Sequence, residues 1–188
     1  SILLLVILIE IFMPFFLQLI APGFIAEEEK FSKLVHTSRI IFPFLVLISV
    51  SSICSSILNA NGKFALSASL PIILNIILCL SLILSYYLSS NFLTFLSWGV
   101  LIAGFIQVLL LFFSIKSNRI VVVFTKKISH SVKSFFNLFI PSFFSSGLLQ
   151  INILIGTIIA SYESGAVSYL YYADRIYQLP LALVGIAL

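Results

Sequence analysis

The sequence predicts an all-α protein, a polytopic transmembrane helix bundle of six spans. Three observations carry that expectation. The 188 residues are 61% hydrophobic and 9% charged, with a mean hydropathy of +1.24, whereas soluble domains carry about 25% charged residues. So short a soluble chain leaves much of its area in water and has nowhere to hide that apolar surface. The apolar residues fall in long continuous runs rather than in alternation, which favours helices over a closed barrel. Turn-forming residues interrupt those runs at intervals suited to a helix of about 20 residues crossing the hydrocarbon.

The first span runs over 2–20 and stops at Ala21, Pro22 and Gly23. No basic region precedes it and no small-residue cleavage site follows, so it reads as a span rather than a secretory signal. The second covers 34–58 and ends at Asn59, Ala60, Asn61 and Gly62. The third covers 66–88, the fourth 92–115 and the fifth 135–160. The sixth begins near Gly165 and reaches Leu188. The chain opens and closes inside spans, so it is expected to be a piece of a longer protein. Pro14, Pro43, Pro71, Pro141 and Pro180 lie inside or at the start of spans, where they are expected to kink helices whose freed carbonyls neighbours re-satisfy.

Loop charge sets the orientation. Lys63 follows the second span, and Lys116, Arg119, Lys126, Lys127 and Lys133 follow the fourth, with no acid among them. The opposite side carries Glu27, Glu28, Glu29 and Glu163 against Lys30, Lys33 and Arg39. Basic residues favour the cytoplasmic side, so the first span is expected to run from inside to outside. The 116–134 stretch is therefore a cytoplasmic loop rather than a nucleic-acid site, with anionic membrane lipids as its natural contact. Its short apolar run, Val121 to Phe124, is expected to lie along the membrane surface.

Cys54 and Cys79 sit in different spans without metal-type spacing. Both read as small apolar-facing thiols. There is no Gly-Lys-Ser/Thr phosphate loop, no HExxH and no Gly-x-Ser-x-Gly, and His36 and His130 each read as solvated residues near a membrane boundary. The expectation is a protein that is not an enzyme and that uses neither cofactor nor metal.

Charges inside spans are costly and usually face a cavity or a partner. Asp174 and Arg175 fall in the sixth span. Adjacent helical residues project about 100° apart, so the two do not face each other well. Tyr171 lies four residues before Arg175, and Gln178 four after Asp174, which puts all four on one broad polar face. That face points to a hydrophilic cavity, and the arginine fork points to an anionic group within it. Glu10, mid-span in the first helix, is either a carboxyl bonded within the bundle or an ion-coupling group. In the fifth span, Gln150 and Asn152 accompany Ser142, Ser145, Ser146, Gly147, Gly156 and Thr157. They either serve close helix packing or line the same cavity.

Residues 165–188, with the core SxLYYADRxxxxPLxxxGIAL, closely resemble the MurJ/MviN family. Gln150 to Ser161 resembles that family's preceding helix. Ala21-Pro-Gly-Phe24, Ser38-Arg-Ile-Ile-Phe-Pro43 and Ile57-Leu-Asn-Ala-Asn-Gly-Lys-Phe64 fit as well. The resemblance implies a lipid II flippase of the bacterial inner membrane, in the two-lobe fold of the multidrug/oligosaccharidyl-lipid/polysaccharide exporters. By that resemblance the chain corresponds to helices three to eight. Residues 1–115 would finish the amino-terminal lobe, 116–134 would be the basic linker, and 135–188 would begin the carboxy-terminal lobe. Arg175 matches the family's cavity arginine in this helix, implied to attract a lipid-linked diphosphate, and Asp174 matches its acidic neighbour. Gln178 stands where some members have Glu, and Gly156 where many have Asp. The implied partner is lipid II, carried by alternating access through a cationic cavity. A flippase of another polyprenyl-linked glycan and a non-transporting degenerate paralogue are the alternatives.

Overall fold

The structure is a computed structural model that describes residues 2–88, 91–120 and 130–187, with side chains described except at 130–134, 138 and 181–187. The predicted surface run Val121–Phe124 and the basic residues Lys126 and Lys127 lie outside the described residues. Every regular element among the described residues is helical: α1 (Ile2–Ile11), α2 (Met13–Ile20), a 3-10 turn η1 (Pro22–Ala26), α3 (Glu28–Ile41), α4 (Phe44–Ala60), α5 (Ala65–Tyr87), α6 (Phe92–Ser117), α7 (His130–Ala160) and α8 (Ala166–Ala187).

Among the described residues, four helical stretches are long and apolar enough to cross a membrane, or five if a sharply bent pair counts as one. The bent pair is the expected first span. It breaks at Phe12 into α1 and α2, which bend 84° from each other. The cause is local: Pro14 supplies no N–H to the Glu10 carbonyl and its ring crowds that carbonyl, so the helix restarts with proline in its first turn. The expected second span begins earlier than its apolar run, at Glu28, and is jointed at Pro43 between α3 and α4. Bonds from Leu45 N to the Phe42 carbonyl and from Val46 N to the Pro43 carbonyl, both 3.0 Å, carry the chain through the joint in tighter 3-10 fashion. The sixth expected span, α8, is a continuous helix of 22 residues. It is not among the four because Asp174, Arg175 and Gln178 dilute its apolar run.

The chain divides into two compact units. Unit 1 comprises Ser1–Pro14 and Ser32–Val123. Its hub is α6, against which both α4 and α5 pack. Small residues let the backbones approach: a Cβ on Gly104 would lie 2.7 Å from the Phe44 ring, and one on Gly99 would collide with the Ser81 hydroxyl. A core of Cys54, Leu58, Leu111 and Ile115 joins α4 to α6. Cys54 is buried, Cys79 exposed, and both are free thiols.

Two helix ends in this unit close in the same way. After α4, Lys63 N bonds the Leu58 carbonyl at 2.9 Å and Gly62 N bonds that of Asn59 at 3.0 Å, with Gly62 at φ 72°. This is a Schellman cap, and glycine supplies the left-handed residue it needs. After α6, Ile120 N bonds the Ile115 carbonyl at 3.2 Å and Arg119 takes the left-handed position at φ 51°. Ile120 packs on the core beside Ile115, the apolar contact that usually accompanies such a cap.

Unit 2 comprises Phe15–Phe31 and Phe124–Leu188. Here η1 seats on the end of α7, and α7 packs on α8. Gly23 N donates to Ser161 Oγ at 3.0 Å, and Ser161 Oγ donates onward to the Ile158 carbonyl at 2.7 Å. A Cβ on Gly23 would collide with the Ser161 carbonyl, so the Pro22-Gly23 turn needs glycine to come this close.

Candidate functional site

The polar face expected on the last helix is present as a bonded cluster. The turn before α8 is made at Gly165, with φ 78°, and its carbonyl accepts from Ser168 N at 3.0 Å and Tyr169 N at 3.1 Å. From that start, helical spacing brings Tyr171, Asp174, Arg175 and Gln178 together. Gln178 Nε2 donates to Asp174 Oδ2 at 2.7 Å, while Gln178 Oε1 accepts from Arg175 Nη1 at 3.2 Å. The Arg175 guanidinium lies over the Tyr171 ring, 4.9 Å from its centroid, within range of a cation–π attraction.

The amide therefore bridges two charges that adjacent positions keep apart. Its NH2 faces the carboxylate and its oxygen faces the guanidinium, the only orientation in which both contacts are attractive. Most of the guanidinium's five N–H donors remain for other acceptors. All four side chains are exposed in this chain.

Asp174 also closes a pocket of about 340 Å3 between α7 and α8, with Asn152, Thr157 and Tyr171 as the other polar residues of its wall. Gly156 lies in the same wall, and a Cβ there would come within 3.3 Å of Leu170 Cδ2. Thr157 Oγ1 returns its proton to the Ile153 carbonyl at 2.9 Å. Asn152 thus joins Tyr171 and Asp174, whereas Gln150 does not line this pocket. Two residues on a helix project about 200° apart, so Gln150 and Asn152 cannot serve one face.

Glu10 stands in unit 1. Its Oε1 is buried without a hydrogen-bond partner, and Glu10 does not line the α7–α8 pocket. Among the described residues, no three His, Cys, Asp or Glu side chains converge to hold a metal ion.

Comparison with known proteins adds a family. The profile of the family described as "Lipid II flippase MurJ" matches residues 1–188. A protein of Rhizobium meliloti (strain 1021) described as "Probable lipid II flippase MurJ" is 40% identical over 190 residues, which cover 98% of this chain and 36% of that protein. One of the same description from Rickettsia prowazekii (strain Madrid E) is 38% identical, covering 95% of this chain and 35% of its own length. A "Lipid II flippase MurJ" of Burkholderia cenocepacia is 31% identical, covering 90% and 34% respectively. The chain thus spans about a third of the length of the curated relatives it matches.

Proposed function

The chain belongs to the lipid II flippase MurJ family, and from that premise we propose that it is the middle portion of a flippase carrying lipid II across the bacterial inner membrane. The observation that carries this reading is the Arg175 guanidinium, braced by Gln178 and Tyr171. The cargo is a polyprenyl-diphosphate-linked peptidoglycan precursor, and a guanidinium matches phosphate oxygens in geometry and charge. Bringing such a headgroup through hydrocarbon unaided is prohibitive. A hydrated cationic cavity removes most of that barrier while the polyprenyl tail stays in lipid.

In this account α8 is the sixth crossing, and its polar face turns to the cavity because facing lipid would cost too much. Arg175 contacts the diphosphate. Asp174 and Gln178 hold the guanidinium in place, and Tyr171 shields it. Asn152, beside Asp174 and Tyr171, contacts the headgroup's neutral polar groups. Gln150 serves helix packing on another face of α7. Residues 1–115 and 135–188 belong to two lobes that expose the cavity to each side in turn, with 116–134 as their cytoplasmic linker. The loops bearing Lys63 and Arg119 face the cytoplasm.

The test is complementation of a flippase-depleted strain by the full-length protein. Arg175→Ala is expected to abolish rescue while the protein still inserts, and Arg175→Lys to rescue in part. Undiminished rescue by Arg175→Ala overturns the reading. Accumulation on depletion of a different polyprenyl-linked glycan would reassign the cargo.

A further inference from the structure

Unit 1 holds a second polar recess, separate from the α7–α8 pocket. Helices α4 and α5 each pack on α6 but make far fewer contacts with each other. The gap between them is a pocket of about 480 Å3, within the range of small-molecule sites, about 300–1,000 Å3. Ser51, Ser52, Ser55 and Ser56 of α4 line it, with Ser67 of α5 and Gln107 of α6.

The serines are not all in the same state. A helical serine commonly returns its proton to the carbonyl four residues back, as Ser49 and Ser56 do at 2.6 Å and 2.8 Å. Ser51 and Ser55 do not: both Oγ atoms are buried without a hydrogen-bond partner. They are one turn apart and share a face. Ser51 is only 2% exposed. Gln107, 5% exposed, has its amide nitrogen fixed on the Leu70 carbonyl at 2.8 Å. An unmade bond inside a low-dielectric bundle is expensive, so two such hydroxyls in one recess point to a partner that supplies what they lack.

The lining limits what that partner is. Among the described residues no charged side chain faces the recess, so its lining offers nothing to hold a phosphate, a carboxylate or a hard cation. The α4 wall carries four serine hydroxyls with Ile48 one turn before them, and the α5 wall is largely apolar, with Leu70, Pro71 and Leu74. A sugar ring has that same division between an apolar face and a hydrogen-bonding edge. We propose that the α4–α5 recess binds a neutral saccharide ring of the lipid-linked headgroup, with Ser51 and Ser55 bonding its hydroxyl or acetamido groups. This rests on the reading of the cargo as a lipid-linked glycan. It assigns recognition of the sugar to residues distinct from those assigned to the diphosphate.

The experiment titrates full-length protein in nanodiscs with lipid II and with undecaprenyl diphosphate, which has the diphosphate and tail but no sugar. The Ser51→Ala/Ser55→Ala variant is expected to lose about tenfold in lipid II affinity, the worth of two modest hydrogen bonds, with undecaprenyl diphosphate affinity unchanged. Arg175→Ala is expected to weaken both lipids. Lipid II affinity unchanged in the serine variant means that the recess holds water alone and overturns the proposal. An equal loss for both lipids also overturns it, as does a lowered Tm, which would make the hydroxyls structural. If Arg175→Ala weakens neither lipid while the serine variant still loses lipid II selectively, the Arg175 assignment fails and the recess stands.

Discussion

Gln178 Nε2 lies 2.7 Å from Asp174 Oδ2, and the same amide accepts from Arg175 at 3.2 Å. The bridge fixes the guanidinium without neutralising it directly, because Asp174 and Arg175 make no ion pair of their own. Asp174→Asn and Gln178→Leu should therefore be coupled. A double-mutant cycle on thermal stability is expected to return about 1 kcal/mol of interaction. Simple additivity would mean that the amide bridge contributes nothing.

The Pro22-Gly23 turn should tolerate no side chain. Gly23→Ala places a Cβ against the Ser161 carbonyl, and overpacking of this kind costs about 1–3 kcal/mol. Ser161→Ala removes the acceptor of Gly23 N together with the local bond to the Ile158 carbonyl and is expected to cost about 1 kcal/mol. Melting of the detergent-solubilised protein checks the order: the glycine change should lower Tm more than the serine change, and the reverse order would contradict the contact.

The orientation read from loop charge predicts a labelling pattern. In a full-length background with Cys54 and Cys79 replaced by serine, a cysteine at Glu28 is expected to react with an impermeant reagent in intact spheroplasts. A cysteine at Lys63 is expected to react only after lysis. The opposite pattern would invert the topology.

Much of this was legible beforehand, and the exceptions have physical causes. Composition and run length specified helices, and Gly62 and Gly165 marked turns because their left-handed conformations suit glycine. The 3.6-residue repeat placed Tyr171, Asp174, Arg175 and Gln178 on one face, and they do bond to one another. Hydropathy runs through the break at Phe12 without a sign of it, and it is Pro14, expected to kink its span, that marks the place. Nor did hydropathy reveal the uncommitted hydroxyls of Ser51 and Ser55. These depend on how α4, α5 and α6 pack, and a single-helix pattern carries no record of its neighbours.

The central claim is that Arg175 meets the headgroup of the transported lipid. Its most direct test is the exposure of lipid II on the outer face of spheroplasts whose only flippase is the full-length protein. The Arg175→Ala variant, present in the membrane at normal levels, is expected to reduce outward lipid II by about tenfold or more, since charge-assisted bonds to phosphate are worth about 1.5–3 kcal/mol. Gln150→Ala, whose residue lies off the α7–α8 pocket, is expected to leave it within twofold, a change of roughly 0.4 kcal/mol. Outward lipid II unchanged in Arg175→Ala would contradict the account.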